Sequence, residues 1–116
     1  MRKFMLIAYD NVAMYSQLSP EQMQAVVEKY MAWTADIAAK GQLILGEKLT
    51  DHAGKALTKT SGALTISEGP YTEANEVVGG FWIIQCATEE EAIAIGASCP
   101  HTEYGVLGLK EVDLTS

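Results

Sequence analysis

The chain has 116 residues, with 8 basic and 15 acidic side chains, a formal net charge of −7 and 48% hydrophobic residues. That composition is too apolar for a disordered chain, and the length suits one domain with its own core, so residues 1–116 are read as a single domain. The acidic balance excludes nucleic acid and anionic membrane surfaces as main partners, because no basic patch offsets it.

The apolar runs are too short to cross a bilayer. Arg2 and Lys3 precede apolar residues in the manner of a signal peptide, but Phe4–Ala8 is brief and Asp10 follows, so a cytoplasmic protein is expected. Cys86 and Cys99 form neither a CxxC pair nor a metal-type spacing. Cys86 lies in an apolar run and is read as an inert core thiol.

Lys3–Tyr9 reads as a strand without a polar face, Phe4, Leu6 and Ala8 on one side and Met5, Ile7 and Tyr9 on the other. Ser19, Pro20 and Gln22 spell the start of a helix: an N-cap, a proline at the first position and the far half of a capping box. Met23, Val26, Val27, Tyr30, Thr34, Ile37 and Ala38 give it an apolar stripe, and Gly41 closes it. Leu43–Leu49 is a second strand. Ala56–Thr60 and Ala63–Ser67 form a hairpin around Ser61-Gly62.

Glu68–Val78 reads as a loop, and Phe81–Cys86 as another strand apolar on both faces. Thr88 with Glu91 starts a second helix, whose stripe is Ala92, Ile95 and Cys99 and which Pro100 ends. Val106–Leu114 is the last strand, with a bulge expected between Leu109 and Val112, where the apolar phase slips. The order predicts an α+β protein: a ferredoxin-like βαββαβ sheet with an inserted hairpin. Two helices cover one sheet face only. Since two strands are apolar on both faces, a homodimer packed sheet to sheet is expected.

The stretch Glu68-Gly69-Pro70-Tyr71, followed by Glu73, Asn75-Glu76 and Gly79-Gly80-Phe81, resembles the signature of the YCII-related family, in the branch named for an Asp-Gly-Pro-Phe motif. Leu18-Ser19-Pro20-Glu21, Gly46-Glu47-Lys48-Leu49, Glu90-Glu91-Ala92 and Cys99-Pro100-His101 are similar to other parts of that pattern, so the resemblance spans nearly the whole chain. Glu68 and Tyr71 stand where the branch has Asp and Phe, and Asn75 where it has Lys. The resemblance implies a dimeric α+β barrel. It implies little about activity beyond fold relatives such as lactone isomerases and dehydrochlorinases.

With the first strand pointing up, the topology gathers Asp10, His52, Glu68–Tyr71 and His101 at the upper end of the sheet. His101 is the natural proton carrier near neutral pH, and Asp10 the carboxylate to orient it. The alternative for His101 is to satisfy the carbonyls at a helix end. Glu68 is a catalytic carboxylate or a turn acceptor; Gly69, Pro70, Tyr71 and His52 are candidate substrate-binding residues, or simply turn and packing residues. Cys99 lacks the helix dipole that would make it a nucleophile.

No phosphate loop or dinucleotide fingerprint occurs, and no metal or other cofactor is expected. Two functions fit: a cofactor-independent enzyme that abstracts a proton from a small organic substrate (isomerase, lyase or dehydrochlorinase chemistry), or a non-catalytic dimeric module that binds a ligand or partner.

Overall fold

A strand with two apolar faces belongs in the middle of a sheet, and the computed structural model puts it there. The structure describes residues 1–11, 16–50, 52–69 and 76–115. Strand β1 (Arg2–Asn11) is flanked by β5 (Glu76–Cys86) and β6 (Val106–Glu111), with β2 (Leu43–Lys48) at the far edge, in the order β2-β5-β1-β6. Every adjacent pair is antiparallel. Helix α1 (Pro20–Ala39) joins β1 to β2, and α2 (Glu89–Ala97) leads through a short 3-10 turn (Pro100–Glu103) into β6. This is the ferredoxin-like α+β arrangement. The hairpin β3 (Lys55–Thr60) and β4 (Ala63–Glu68) forms a two-stranded sheet of its own.

The helix ends follow their local chemistry. Ser19 and Gln22 form a complete capping box. At the other end Gly41, at φ +71°, allows the NH groups of Gly41 and Gln42 to turn back to the carbonyls of Ala38 and Ile37. Thr88 caps α2 by accepting from the Glu91 NH at 3.1 Å, while the Glu91 carboxylate reaches past the cap to the NH of Ala87 at 3.0 Å. The hairpin turns at Ser61-Gly62, both with positive φ, as a two-residue turn matched to strand twist requires.

The core lies between the helices and one sheet face: Phe4, Leu6, Ile84, Cys86, Trp33, Ile37, Ala92, Ile95 and Cys99. Along α1 the buried stripe is Val26, Trp33 and Ile37 rather than a band through Val27 and Thr34; Val27 is exposed. A single 3.6-residue period from Val26 passes through Tyr30, Trp33 and Ile37. Strand β5 begins at Glu76, inside the span read as a loop, because β1 continues to Asn11 and gives it a partner. The pairing of β6 with β1 is regular from Val106 to Glu111. The irregularity is instead on β5: Ala8 and Tyr9 face Gly80 and Val78, so Gly79 is the extra residue of a bulge.

The opposite sheet face carries Met5, Ile7, Tyr9, Phe81 and Ile83, all half-buried, with Leu45 exposed beside them. Among the described residues, no helix is long and apolar enough to cross a membrane. Both cysteines are buried free thiols.

Burial pushes the Cys99 thiol up from 9.0 to about 11. Between those values the unfolded chain gives up a proton that the folded chain keeps, so stability is full below pH 9 and falls as pH rises toward 11. A loss of roughly 2–3 kcal/mol across that window is expected. In denaturant titrations run as a pH series this loss should be absent from Cys99→Ala and therefore appear as the pH-dependent part of the difference between wild type and that variant.

Candidate functional site

The 3-10 turn after α2 delivers the His101 side chain to the upper end of β1, where it is 1% exposed. Its Nε2 lies 2.9 Å from the Tyr9 carbonyl oxygen and its Nδ1 lies 2.7 Å from the Tyr30 hydroxyl. A carbonyl only accepts, so Nε2 carries a ring proton, and in the neutral imidazole Nδ1 then presents a lone pair. To that neutral ring Tyr30 donates its hydroxyl proton at Nδ1. Asp10 Oδ1 stands 3.8 Å from the same Nδ1, at ion-pair rather than hydrogen-bond range.

Two glycines create the room for this cluster. A Cβ on Gly79 would fall 1.7 Å from Asp10 Oδ2, so the bulge residue is the floor on which the carboxylate rests. A Cβ on Gly105 would lie 2.6 Å from the Tyr9 carbonyl oxygen and 3.1 Å from His101 Nε2. Tyr30 is held from its other side by Trp82, parallel to it at 6.4 Å between ring centres, and Trp82 in turn meets the edge of Trp33 at 5.2 Å. The Trp33 indole donates to Ser98 Oγ at 2.9 Å. Half-buried Tyr30 thus lies between the aromatic core and a histidine that water does not reach.

The expected approach of Asp10 and His101 is present, and Tyr30 joins them. In the sequence Tyr30 stands out only as part of the apolar stripe of α1. Its hydroxyl finds a partner 71 residues away, and a tyrosine amid aliphatic stripe residues was the available signal. The helix-end alternative for His101 does not describe its contacts: the ring bonds a strand carbonyl.

The other candidates are elsewhere. Glu68 is on the separate hairpin, exposed and ion-paired with Lys55 across the two strands, not beside His101. Gly69 donates its NH to the Gly54 carbonyl at 2.9 Å, and a Cβ there would lie 2.3 Å from the Ala53 carbonyl oxygen, so close backbone packing requires the glycine. His52 is exposed and lines a cavity of about 350 Å³ together with Lys48, Thr50 and Val78. Val78 pairs with Tyr9, so cavity and histidine cluster share the upper end of β5. Pro70 and Tyr71 lie outside the described residues. Among the described residues, no group of three or more His, Cys, Asp or Glu is placed to hold a metal ion. Cys99, with its raised thiol, is poorly suited to be a nucleophile.

The family model of the YCII-related domain matches residues 2–113. The chain belongs to the YCII-related family. No curated protein matches the sequence. Among solved structures, this YCII-related chain is similar to a 5-chloro-2-hydroxyhydroquinone dehydrochlorinase from Burkholderia phenoliruptrix AC1100, in complex with 2,5-dihydroxybenzoquinone. The similarity covers 96% of this chain and 93% of that one, at 16% identity and a TM-score of 0.49.

Proposed function

We propose that this YCII-related protein is a cofactor-independent enzyme that abstracts a proton from a small organic substrate, as an isomerase, lyase or dehydrochlorinase does. The observation that carries the reading is the part-buried hydrogen bond between the Tyr30 hydroxyl and His101 Nδ1 with Asp10 beside it. Because His101 is sealed from solvent and committed to the Tyr9 carbonyl, it works through Tyr30. The Tyr30 oxygen takes the substrate proton as its own hydroxyl proton passes to Nδ1. The imidazolium so formed stays bonded to Tyr9, and the Asp10 carboxylate balances its charge. Asp10 acts here as a positioning residue.

The family signature around Gly69-Pro70 supports placing the chain in the Asp-Gly-Pro-Phe branch. The half-buried apolar sheet face supports a homodimer packed through that face, and the two free thiols suit a reducing compartment such as the cytoplasm.

The test is solvent deuterium incorporation into a panel of lactones, 1,3-dicarbonyl compounds and chlorinated phenols, followed by proton NMR. Wild type is expected to exchange at least one class, and Tyr30→Phe to slow that exchange about a hundredfold. No exchange by wild type, or equal exchange by Tyr30→Phe, rejects the mechanism. A non-catalytic binding module is the second reading, favoured by the fact that both His101 nitrogens already have protein partners. Ligand-induced chemical-shift changes without any deuterium incorporation would select it.

A further inference from the structure

The β3–β4 hairpin is amphipathic in a way the sheet it leaves behind cannot use. The register Leu57↔Ile66 and Lys59↔Leu64 puts Leu57, Leu64 and Ile66 on one face together with Lys55, Lys59 and Glu68, while alanine, serine and threonine alternate on the other. On that first face the three apolar side chains are 65%, 53% and 58% exposed. A lone two-stranded hairpin is marginal in water, and this one leaves its apolar face uncovered. The molecule is correspondingly broad and thin, 47 × 45 × 18 Å, with a radius of gyration of 16.1 Å where a compact chain of this length has about 13 Å.

Charge narrows the choice of what covers the face. Residues 55–68 contain Lys55, Lys59 and Glu68, a net +1; the rest of the chain holds 6 basic and 14 acidic residues, a net −8. An arm of opposite sign to its own body complements a second such body. The arm also continues from Leu45, which flanks the open sheet face, through Leu49, itself exposed.

We propose that the apolar face of the β3–β4 arm docks on a second copy of this chain, the two arms exchanged about a two-fold axis and extending the sheet-to-sheet contact beyond edge strand β2. The inference rests on the homodimer reading and adds to it the surface that locks the pair. Leu57 and Ile66 are its anchors, and Lys59 faces the partner's acidic body.

The experiment is sedimentation velocity over a concentration series with wild type, the double variant Leu57→Asp/Ile66→Asp, Thr58→Asp on the opposite face of the arm, and Leu45→Asp on the sheet face. The arm variant is expected to weaken dimerisation a hundredfold or more, with Thr58→Asp unchanged. A dimer of unchanged affinity in the arm variant, with Leu45→Asp dissociated, overturns the arm and leaves the sheet-face dimer standing. A monomeric wild type overturns both. Hydrogen exchange on wild type gives a check independent of any variant: the arm amides should lose protection on dilution. Protection that does not change with concentration also overturns the proposal.

Discussion

Replacing His101 by alanine is expected to destabilise the protein by about 3–5 kcal/mol. Three effects add in one direction. The imidazole is fully buried, so its removal leaves a cavity under β1. The Tyr9 carbonyl loses its donor at a buried site where water does not readily replace it, and the Tyr30 hydroxyl loses its bond to Nδ1. In a domain of this size the melting temperature should fall by about 10–25 °C. His52→Ala is the control: that side chain is exposed, and its loss should move stability by no more than about 0.5 kcal/mol. Thermal and denaturant unfolding of the two variants reads the contrast directly. If they behave alike, the polar cluster is not the structural tie described above.

Gly105→Ala should be nearly as damaging, at about 3–4 kcal/mol, although it adds only a methyl group. The methyl would press on the Tyr9 carbonyl oxygen, which is backbone and cannot swing aside, and on His101 Nε2. Relief requires the turn to retreat from β1, which parts the hydrogen bond between His101 and Tyr9. Gly79→Ala makes an informative pair. Its methyl meets the far end of the Asp10 side chain, which can rotate away, so stability should fall less while Asp10 is driven from His101. Unfolding curves with imidazole nitrogen chemical shifts separate the two. Gly105→Ala is expected to disturb Nε2, and Gly79→Ala to leave the bond to Tyr9 in place.

The elements most legible in the sequence are those governed by chemistry close along the chain. Ser19-Pro20 with Gln22, the Gly41 stop and the Ser61-Gly62 turn each act within a few residues, and each is found where the sequence puts it. The meeting of Asp10 and His101 was legible for a different reason: strand direction alone carries both to one end of the sheet. What escaped depended on phase or on distant partners. Taking Val27 and Thr34 into the α1 stripe rotated it away from Trp33. Tyr30 reads as one of the apolar stripe residues because nothing near it in sequence explains its hydroxyl. Placing Glu68 near the site took no account of the hairpin, whose turn register sets Glu68 opposite Lys55.

The central position of β1 also governs the order of assembly. Phe4 pairs with Ile84 on one side and Glu111 on the other, so both ladders of this strand join segments from opposite ends of the chain. Contacts of such long sequence separation slow folding, since loop closure precedes any stabilisation. During synthesis β1 leaves the ribosome before both of its partners and waits for β5 and then β6. The nascent chain therefore carries an unpaired, aggregation-prone β1 until β5 and β6 have emerged, and a chaperone that holds this strand during synthesis would have its greatest effect on yield.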